Sequence, residues 1–494
     1  MHTDWLRIMR WDDLCSTRTF MLALGLAPFV WLAVWFSTHI QDLGSLISYV
    51  QDYEPDLGFD YAMGVLWWVV FAILILIVGG ESRQMLLIAW LGRFVVTLML
   101  MPFYESYYPL DSSTYYRVRL TGQFSSFEGT NFLDDLWPSL ASSEGETLGS
   151  TFAFENTLRL ILWVGLVTGP YFHAMKVGCA FLGLLGVWYF YRAATVALAR
   201  PRPALFYLLA FSPSIIFWGS ILGKDPLLFF FLGIYAYGSV QWLVQNRVGR
   251  LWMVALGLLG PFLMRPLLAM LGAAALVLAV LLGRGQRVQL TVVMMGCFIA
   301  MLFMDPSKFR PELVFGEGRA LEERGLLVRA AGISALTEIA RMKVEGIVQD
   351  TSASGGSGAD LSSLTSPDAM MGNLPLIMFS GLFRPLPFDV TNLFTAMSAV
   401  ENALVLLLAV AALFGVRLSN LRDPLVMWSV AYCLLWTTTH GLIVMANFGT
   451  GVRYRLQALP FLLLLSLLLA HREGRRLLES RMPTGLLPVS KTPS

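Results

Sequence analysis

The sequence predicts an all-α integral membrane protein that crosses the bilayer many times. Of its 494 residues, 56% are hydrophobic and only 14% are charged, whereas soluble domains contain about 25% charged residues. Apolar runs close to the ~20 residues that a membrane-spanning helix needs recur along the whole chain. We therefore interpret residues 1–494 as a single transmembrane domain.

Hydropathy predicts about twelve spans along the chain. They lie near residues 19–37, 61–79, 85–103, 171–191, 204–222, 226–244, 249–263, 266–283, 288–304, 396–416, 424–445 and 456–470. The first run is longer than the ~7–15-residue apolar core of a signal peptide, so we expect it to be retained as a span. The shortest runs are also compatible with tilted pairs of helices or with half-helices.

The distribution of arginines predicts the orientation of the chain. Alternate connections carry arginines, for example at Arg83, Arg192 and Arg422, and the positive-inside rule makes that side cytoplasmic. Residues 39–60, on the other side, contain acidic residues and no Lys or Arg. Both termini are then predicted to be cytoplasmic, including a short basic tail at residues 471–494.

Two long connections are predicted on the outer face, at residues 104–170 and 305–395. In the first, the apolar stretch 154–167 is interrupted by polar residues, which favours an interfacial or re-entrant helix over a full span. In the second, residues 336–347 have an apolar face typical of a helix on the membrane surface. The short apolar piece 374–383 is predicted to dip into the membrane and return.

Basic residues near outer helix ends depart from the charge rule. They are Lys224, Arg265, Arg384, Arg453 and Arg455. Cations in such positions cost insertion energy, so they require an explanation. A shared anionic ligand is one, because Arg matches phosphate oxygens with a planar fork and Lys adds a point charge. The alternative is that each reaches lipid head groups or pairs locally, Lys224 with Asp225 and Arg384 with Asp389.

Asp111 is the candidate catalytic base, in a polar stretch that is rich in tyrosine. A carboxylate can accept the proton of an attacking hydroxyl group. Tyr115 and Tyr116 are candidates for sugar contacts, because aromatic rings suit sugar faces. The alternative for Asp111 is a helix N-cap. Rival acids in the same loop are Glu105, Asp134 and Asp135.

The scattered His and Cys residues indicate no metal site. The four cysteines show no CxxC spacing and the five histidines form no zinc pattern. We therefore predict no cofactor, and the sequence does not support a divalent metal. It also contains no basic arm or module typical of nucleic-acid binding. Arg93 and Glu401 lie in or near spans, either as structural partners or as cavity residues.

The chain resembles the GT-C superfamily of integral membrane glycosyltransferases, which use polyprenyl-phosphate sugar donors. It shares a long first outer loop with an acid near its start, spans of varied length and arginines in late outer loops. Similar stretches occur in such proteins from bacterial exopolysaccharide gene clusters. They are FSPSIIFWGSILGKDPL, LMRPLLAML, LFRPLPFDVTN and NFGTGVRYRLQALPF. Asp111 is followed by Ser112, whereas many members carry an acid pair, so a metal-assisted variant is not implied.

The resemblance implies a location in the bacterial inner membrane and gives these residues roles. Asp111 corresponds to the acid of the first loop, and Lys224, Arg265, Arg453 and Arg455 correspond to contacts with the donor phosphate. The expected reaction is transfer of a sugar from a polyprenyl-phosphate or polyprenyl-diphosphate donor to a glycan or lipid-linked acceptor on the periplasmic face. Its setting would be polysaccharide or cell-envelope synthesis.

The expected partners are the donor, the acceptor, membrane lipids and other polysaccharide-synthesis proteins. Two other functions remain open. One is an O-antigen polymerase-like or ligase-like enzyme, which uses the same carriers and joins whole repeat units. The other is a transporter or flippase for lipid-linked glycans, a class that often shows inverted repeats, although the sequence shows no internal repeat. A scaffold role in a synthesis complex is also compatible with the sequence.

Overall fold

A computed structural model describes residues 57–107, 111–112, 115–116, 148–245, 247–282, 372–390, 393–414 and 423–481, with a few isolated positions elsewhere. Within these ranges the chain forms helices and turns, and contains no β-strand. The all-α class is therefore confirmed for the described residues. The predicted surface helix at 336–347 and the rival acids Asp134 and Asp135 lie outside them.

The α-helices are numbered within the described part of the chain. They are α1 (Leu57–Val78), α2 (Arg83–Phe94), α3 (Met101–Tyr107), α4 (Leu148–Thr168), α5 (Phe172–Leu198), α6 (Pro203–Ala210), α7 (Pro213–Trp218), α8 (Lys224–Gln245), α9 (Leu251–Met264), α10 (Pro266–Leu282), α11 (Leu374–Phe383), α12 (Leu393–Leu413), α13 (Pro424–Ala446), α14 (Phe448–Arg455) and α15 (Leu459–Arg481). A π-helical segment, Val95–Leu100, joins α2 to α3.

Several helices are long and apolar enough to cross a membrane, as expected of a helical membrane protein. Among the described residues there are five such segments: Leu57–Val78, Gly80–Glu105, Phe172–Leu198, Lys224–Gln245 and Thr395–Leu413. The pair α14 and Leu459–Ala470 would form a sixth, bent by 61°. The described residues therefore support five or six of about twelve predicted spans. The predicted span 288–304 and most of 19–37 lie outside the described residues.

Breaks in the backbone explain part of this difference. The predicted span 204–222 is divided into the short helices α6 and α7, because Pro213 begins a new helix. The predicted spans 249–263 and 266–283 are α9 and α10, of 14 and 17 residues, and are separated at Arg265-Pro266. In the connection predicted to be the first outer loop, the apolar part of α4, Asn156–Thr168, is also shorter than a span.

The helices pack in two groups, which meet where α9 packs against α10 and where α8 contacts α13. In one group α5 packs against α1, α4 and α8, and α8 packs against α9. The helices α5 and α8 approach closely, since a Cβ atom on Gly233 would lie 2.7 Å from the carbonyl oxygen of Gly186. In the other group α13 packs against α10, α11 and α15. Trp428 of α13 donates a hydrogen bond of 2.7 Å to Tyr235 of α8, which ties the groups together.

Candidate functional site: a charge cluster

Five ionisable side chains from separate parts of the sequence meet in one place. They are Asp111, Lys224, Asp225, Arg265 and Arg453, and together they are called the charge cluster. Asp111 comes from the predicted first outer loop, two residues come from the start of α8, and Arg265 lies between α9 and α10. The structure thus brings Asp111 together with three of the five predicted cations.

Arg453 is the centre of the charge cluster. Its Nη2 atom lies 2.8 Å from Oδ2 of Asp111, and its Nε atom lies 2.5 Å from Oδ2 of Asp225. One guanidinium is therefore shared by two carboxylates that belong to different segments. It also lies beside Trp218, whose ring centroid is 5.3 Å from the guanidinium carbon. The helix that carries Arg453 is capped by Asn447, whose side chain accepts the backbone N–H of Thr450.

Asp225 is fully buried, in the first turn of α8. A carboxylate is favoured there by the helix dipole, and burial of its charge requires cationic partners. Besides Arg453 it approaches Arg265, with Oδ1 of Asp225 3.9 Å from Nη2 of Arg265. Neither of these two atoms has a hydrogen-bond partner among the described residues. Asp225 therefore forms a close ion pair with Arg453, whereas its contact with Arg265 is long and includes no hydrogen bond.

Arg265 and Lys224 supply the remaining positive charge. The guanidinium of Arg265 stacks on the ring of Tyr454, 3.9 Å from its centroid. Lys224 is partly buried, and its electrostatic neighbours are Arg265, Arg453 and Asp225. Its ammonium group forms no hydrogen bond or ion pair with any residue that the structure describes. The expected local pair of Lys224 with Asp225 is replaced by pairing of Asp225 with the two arginines.

The charge cluster carries more positive than negative charge. Three cations face two carboxylates, which leaves one positive charge in excess among the described residues. Such an excess favours binding of an anion, and the Arg and Lys side chains present are those that recognise phosphate groups. This charge balance is the chemical property that distinguishes the site.

Asp111 is the most accessible member, with 47% of its side chain exposed. Partial burial alone would raise its pKa, but the charge and hydrogen bond of Arg453, with Lys224 and Arg265, lower the pKa below its ordinary value. The carboxylate is therefore ionised at neutral pH. Beside it, burial and the two carboxylates raise the pKa of Tyr115, so this residue presents a neutral hydroxyl group.

The other predicted tyrosine and the other two arginines form their hydrogen bonds with residues outside the charge cluster. Tyr116 is buried and donates a hydrogen bond of 3.1 Å to the carbonyl oxygen of Pro170. Arg384 forms a two-point ion pair with Asp389, with 2.9 Å between Nε and Oδ2, which matches the local alternative. Arg455 is 2% exposed and donates hydrogen bonds to the side chain of Asn402 and the backbone carbonyl of Arg384.

Glu105, a rival candidate base, belongs to a different set of charges. It is buried and forms an ion pair with Lys176 of α5. It also accepts a hydrogen bond of 3.4 Å from the hydroxyl of Ser112. One turn earlier on α5, the ring of His173 contacts Asp60 of α1, and both residues are buried. These two acid–base pairs are called the α5 pairs. Ser112 connects them with the charge cluster, because it follows Asp111 in the chain.

Arg93 and Glu401 act as structural partners of the segment that leads to Lys224. Arg93 donates hydrogen bonds of 2.5 and 3.2 Å to the carbonyl oxygen of Gly219 and the hydroxyl of Ser220. Glu401 accepts hydrogen bonds of 3.1 and 2.8 Å from the backbone N–H and hydroxyl of Ser214. Glu401 thereby caps the start of α7 and Arg93 binds its end, which fixes the path into α8.

Two residues of the site were not predicted from sequence as functional. The sequence predicts for Asp225 only a local pair with Lys224, and it predicts no role for Tyr454, which lies between Arg453 and Arg455. The available signal for Asp225 was an acid directly at the start of an apolar span, where an unpaired carboxylate is costly. The signal for Tyr454 was weaker, since an aromatic residue at a helix end is also typical of the membrane interface.

The described residues contain no group of three or more His, Cys, Asp or Glu side chains arranged to hold a metal ion. None of the protein families, curated proteins and solved structures with which the chain was compared matches it.

Proposed function

We propose that the chain is a membrane glycosyltransferase that takes a sugar from a polyprenyl-phosphate type of donor and transfers it to a hydroxyl group of a glycan or lipid-linked acceptor. The observation that carries the proposal is the composition of the charge cluster. An exposed carboxylate, Asp111, lies beside an excess of phosphate-binding cations. The arrangement supports a transfer reaction in which Asp111 serves as the base for the acceptor and the cations bind the phosphate leaving group.

The cations would bind the donor phosphate. Lys224 has no ion pair among the described residues, and Arg265 is held only loosely by Asp225. Both retain the capacity to contact phosphate oxygens, and Arg453 adds a third contact. As the bond between sugar and phosphate breaks, negative charge grows on the phosphate oxygen, and preorganised cations stabilise that charge. The partly buried position of these groups strengthens the effect, because the local dielectric constant is low.

Asp111 would act on the acceptor. The acceptor oxygen attacks the anomeric carbon of the donor sugar and forms the new glycosidic bond. The bond from that carbon to the phosphate oxygen breaks, and its electron pair remains on the phosphate. The proton of the acceptor hydroxyl passes to the carboxylate of Asp111. Because Asp111 is 47% exposed and ionised, the residue is both reachable and in the required protonation state.

The test compares Asp111→Asn with Asp389→Asn in purified protein reconstituted in liposomes. Asp389 is a matched control, since it is also an aspartate paired with an arginine but belongs to the Arg384 loop. With a radiolabelled polyprenyl-phosphate sugar and an envelope glycolipid fraction as acceptor, Asp111→Asn should reduce transfer by at least ~100-fold. Asp389→Asn should retain transfer near that of the wild type, and the Asp111→Asn protein should unfold near the wild-type temperature. A fully active, folded Asp111→Asn protein would contradict the proposed role.

One structural feature favours a second function, a carrier of lipid-linked glycans. Transporters often contain discontinuous helices near their binding sites, and here α6 and α7 are separate short helices while α14 and the start of α15 are bent by 61°. Movement of a labelled lipid-linked sugar across the liposome membrane, with no transfer product, would support this function. Within the enzyme class, a product extended by whole repeat units would indicate a polymerase or ligase.

A further inference from the structure

The two carboxylates that share Arg453 differ in how firmly they are held. Asp225 is fully buried at the start of α8 and also approaches Arg265. Asp111 is 47% exposed, and its one ion pair among the described residues is with Nη2 of Arg453 at 2.8 Å. An exposed ion pair has a small net stability, because water solvates both partners when they separate. Asp111 is therefore the partner of Arg453 that can be exchanged.

We infer that Asp111 occupies part of the phosphate site in the substrate-free protein, and that the donor phosphate displaces it from Arg453. This inference rests on the proposed function for the identity of the anion. The Asp111 carboxylate stands where a phosphate oxygen would bind the same Nη2 atom. In the substrate-free protein the Asp111 carboxylate thus occupies the position that the donor phosphate would take.

The exchange is favoured by the number of cations that each anion reaches. The Asp111 carboxylate is paired with Arg453 alone, whereas Lys224 and Arg265 lie close enough to lower its pKa without forming an ion pair with it. A phosphate group presents several oxygens and can contact all three cations at once. Asp225 keeps its bond to Nε of Arg453 throughout, so the arginine stays in place while its Nη2 atom changes partner.

The displaced carboxylate would stay near the reaction. The neighbouring residue, Ser112, donates a hydrogen bond of 3.4 Å to Glu105, which is itself bonded to Lys176. The exchange therefore requires rotation of the Asp111 side chain and leaves this anchor intact. Away from Arg453 the carboxylate is a stronger base, because an adjacent opposite charge is what lowers its proton affinity. Base strength would then depend on donor binding, and the donor would bind before the acceptor reacts.

The inference predicts an unusual effect on binding. Asp111→Asn should bind the donor phosphate more tightly than the wild type, because the competing carboxylate is removed. We would titrate full-length protein in nanodiscs with farnesyl phosphate and measure heat by calorimetry. An exposed ion pair of ordinary strength corresponds to an affinity gain of roughly 2- to 5-fold. Asp111→Ala should show the same gain, which guards against a defect specific to the asparagine variant.

Two controls separate the possible outcomes. Asp389→Asn removes an aspartate from the Arg384 pair and should leave the affinity unchanged. Lys224→Gln should weaken binding, because it removes a cation of the site. Unchanged or weaker binding by both Asp111 variants, alongside weaker binding by Lys224→Gln, would overturn the exchange and leave the proposed phosphate site intact. Absence of binding by the wild-type protein would instead overturn the proposed function and the inference with it.

Discussion

The α5 pairs and the charge cluster both bring acidic and basic side chains together, but their charge balances differ. In the α5 pairs each acid has one basic partner: Asp60 contacts His173, and Glu105 contacts Lys176. In the charge cluster Arg453 serves two acids, while Lys224 has no ion pair among the described residues. The α5 pairs therefore leave no described charge without a partner, whereas the charge cluster contains a cation that has no ion pair among the described residues.

The difference indicates which charges are structural and which are available for binding. A charge in a low-dielectric site requires a partner, and a one-to-one pair satisfies that requirement within the protein. Where charges of one sign are in excess, a ligand or solvent must supply the missing partner. The two regions therefore differ in charge balance as well as in burial, and the following variants test the role of charge balance.

The largest expected effect is on stability, from Lys176→Met. The change leaves Glu105 buried without its cation, and breaking such a pair costs roughly 3–5 kcal/mol. The unfolding temperature in detergent should fall clearly, whereas the double variant with Glu105→Gln should recover much of the loss. Lys224→Met is the matched control, and its unfolding temperature should change little. Equal losses in the two single variants would remove the distinction between the regions.

A smaller effect, on function alone, is expected from Lys224→Met. Losing a hydrogen bond to a charged group costs roughly 1.5–3 kcal/mol, so transfer from the polyprenyl-phosphate donor should fall about 10- to 100-fold. The measurement is the initial rate of transfer in liposomes at saturating and limiting donor. Arg384→Gln provides the comparison, because its charge is already matched by Asp389, and its rate should stay near that of the wild type. Normal transfer rates in the Lys224→Met protein would show that Lys224 does not contact the donor phosphate.

The smallest expected effect concerns the dependence of stability on pH. The pKa of Asp111 is lower in the folded protein than its ordinary value, so its contribution is present above about pH 4 and is lost as the pH falls through the folded value. The residue is half-exposed, which limits the contribution to at most ~1 kcal/mol. Unfolding temperatures of wild type and Asp111→Asn should differ slightly at pH 7, and the difference should shrink as the pH falls below about 4. A difference that grows on acidification would show that Asp111 is not held as an anion.

Sequence reasoning predicted the class of fold and the kind of residues at the site. In a membrane every backbone polar group must be bonded internally, so apolar runs imply helices such as α1, α5 and α8. The insertion cost of outer cations similarly drew attention to Lys224, Arg265 and Arg453, which the structure brings together. The role of these residues in binding phosphate remains a prediction.

The breaks and the pairings could not be predicted in the same way. Hydropathy averages composition over a window, so it joined residues 204–222 across the break before Pro213. The partner of a charge depends on contacts between distant segments. Arg265 and Arg384 both precede a proline at a helix end, yet one lies near Asp225 and the other pairs with Asp389 in its own loop. Only the packing of α8, α9 and α14 separates these outcomes.

The short helix α14 is fixed about its own axis by two arginines. Arg453 and Arg455 are two residues apart, so their side chains leave the helix about 200° apart. Arg453 binds Asp111 and Asp225 on one side, and Arg455 binds Asn402 and the backbone of Arg384 on the other. A rotation of α14 that improves one set of contacts must therefore loosen the other. The contacts of Arg455 therefore limit rotation of α14, so a change at Asn402 can reorient Arg453 although the two residues belong to different sets of contacts.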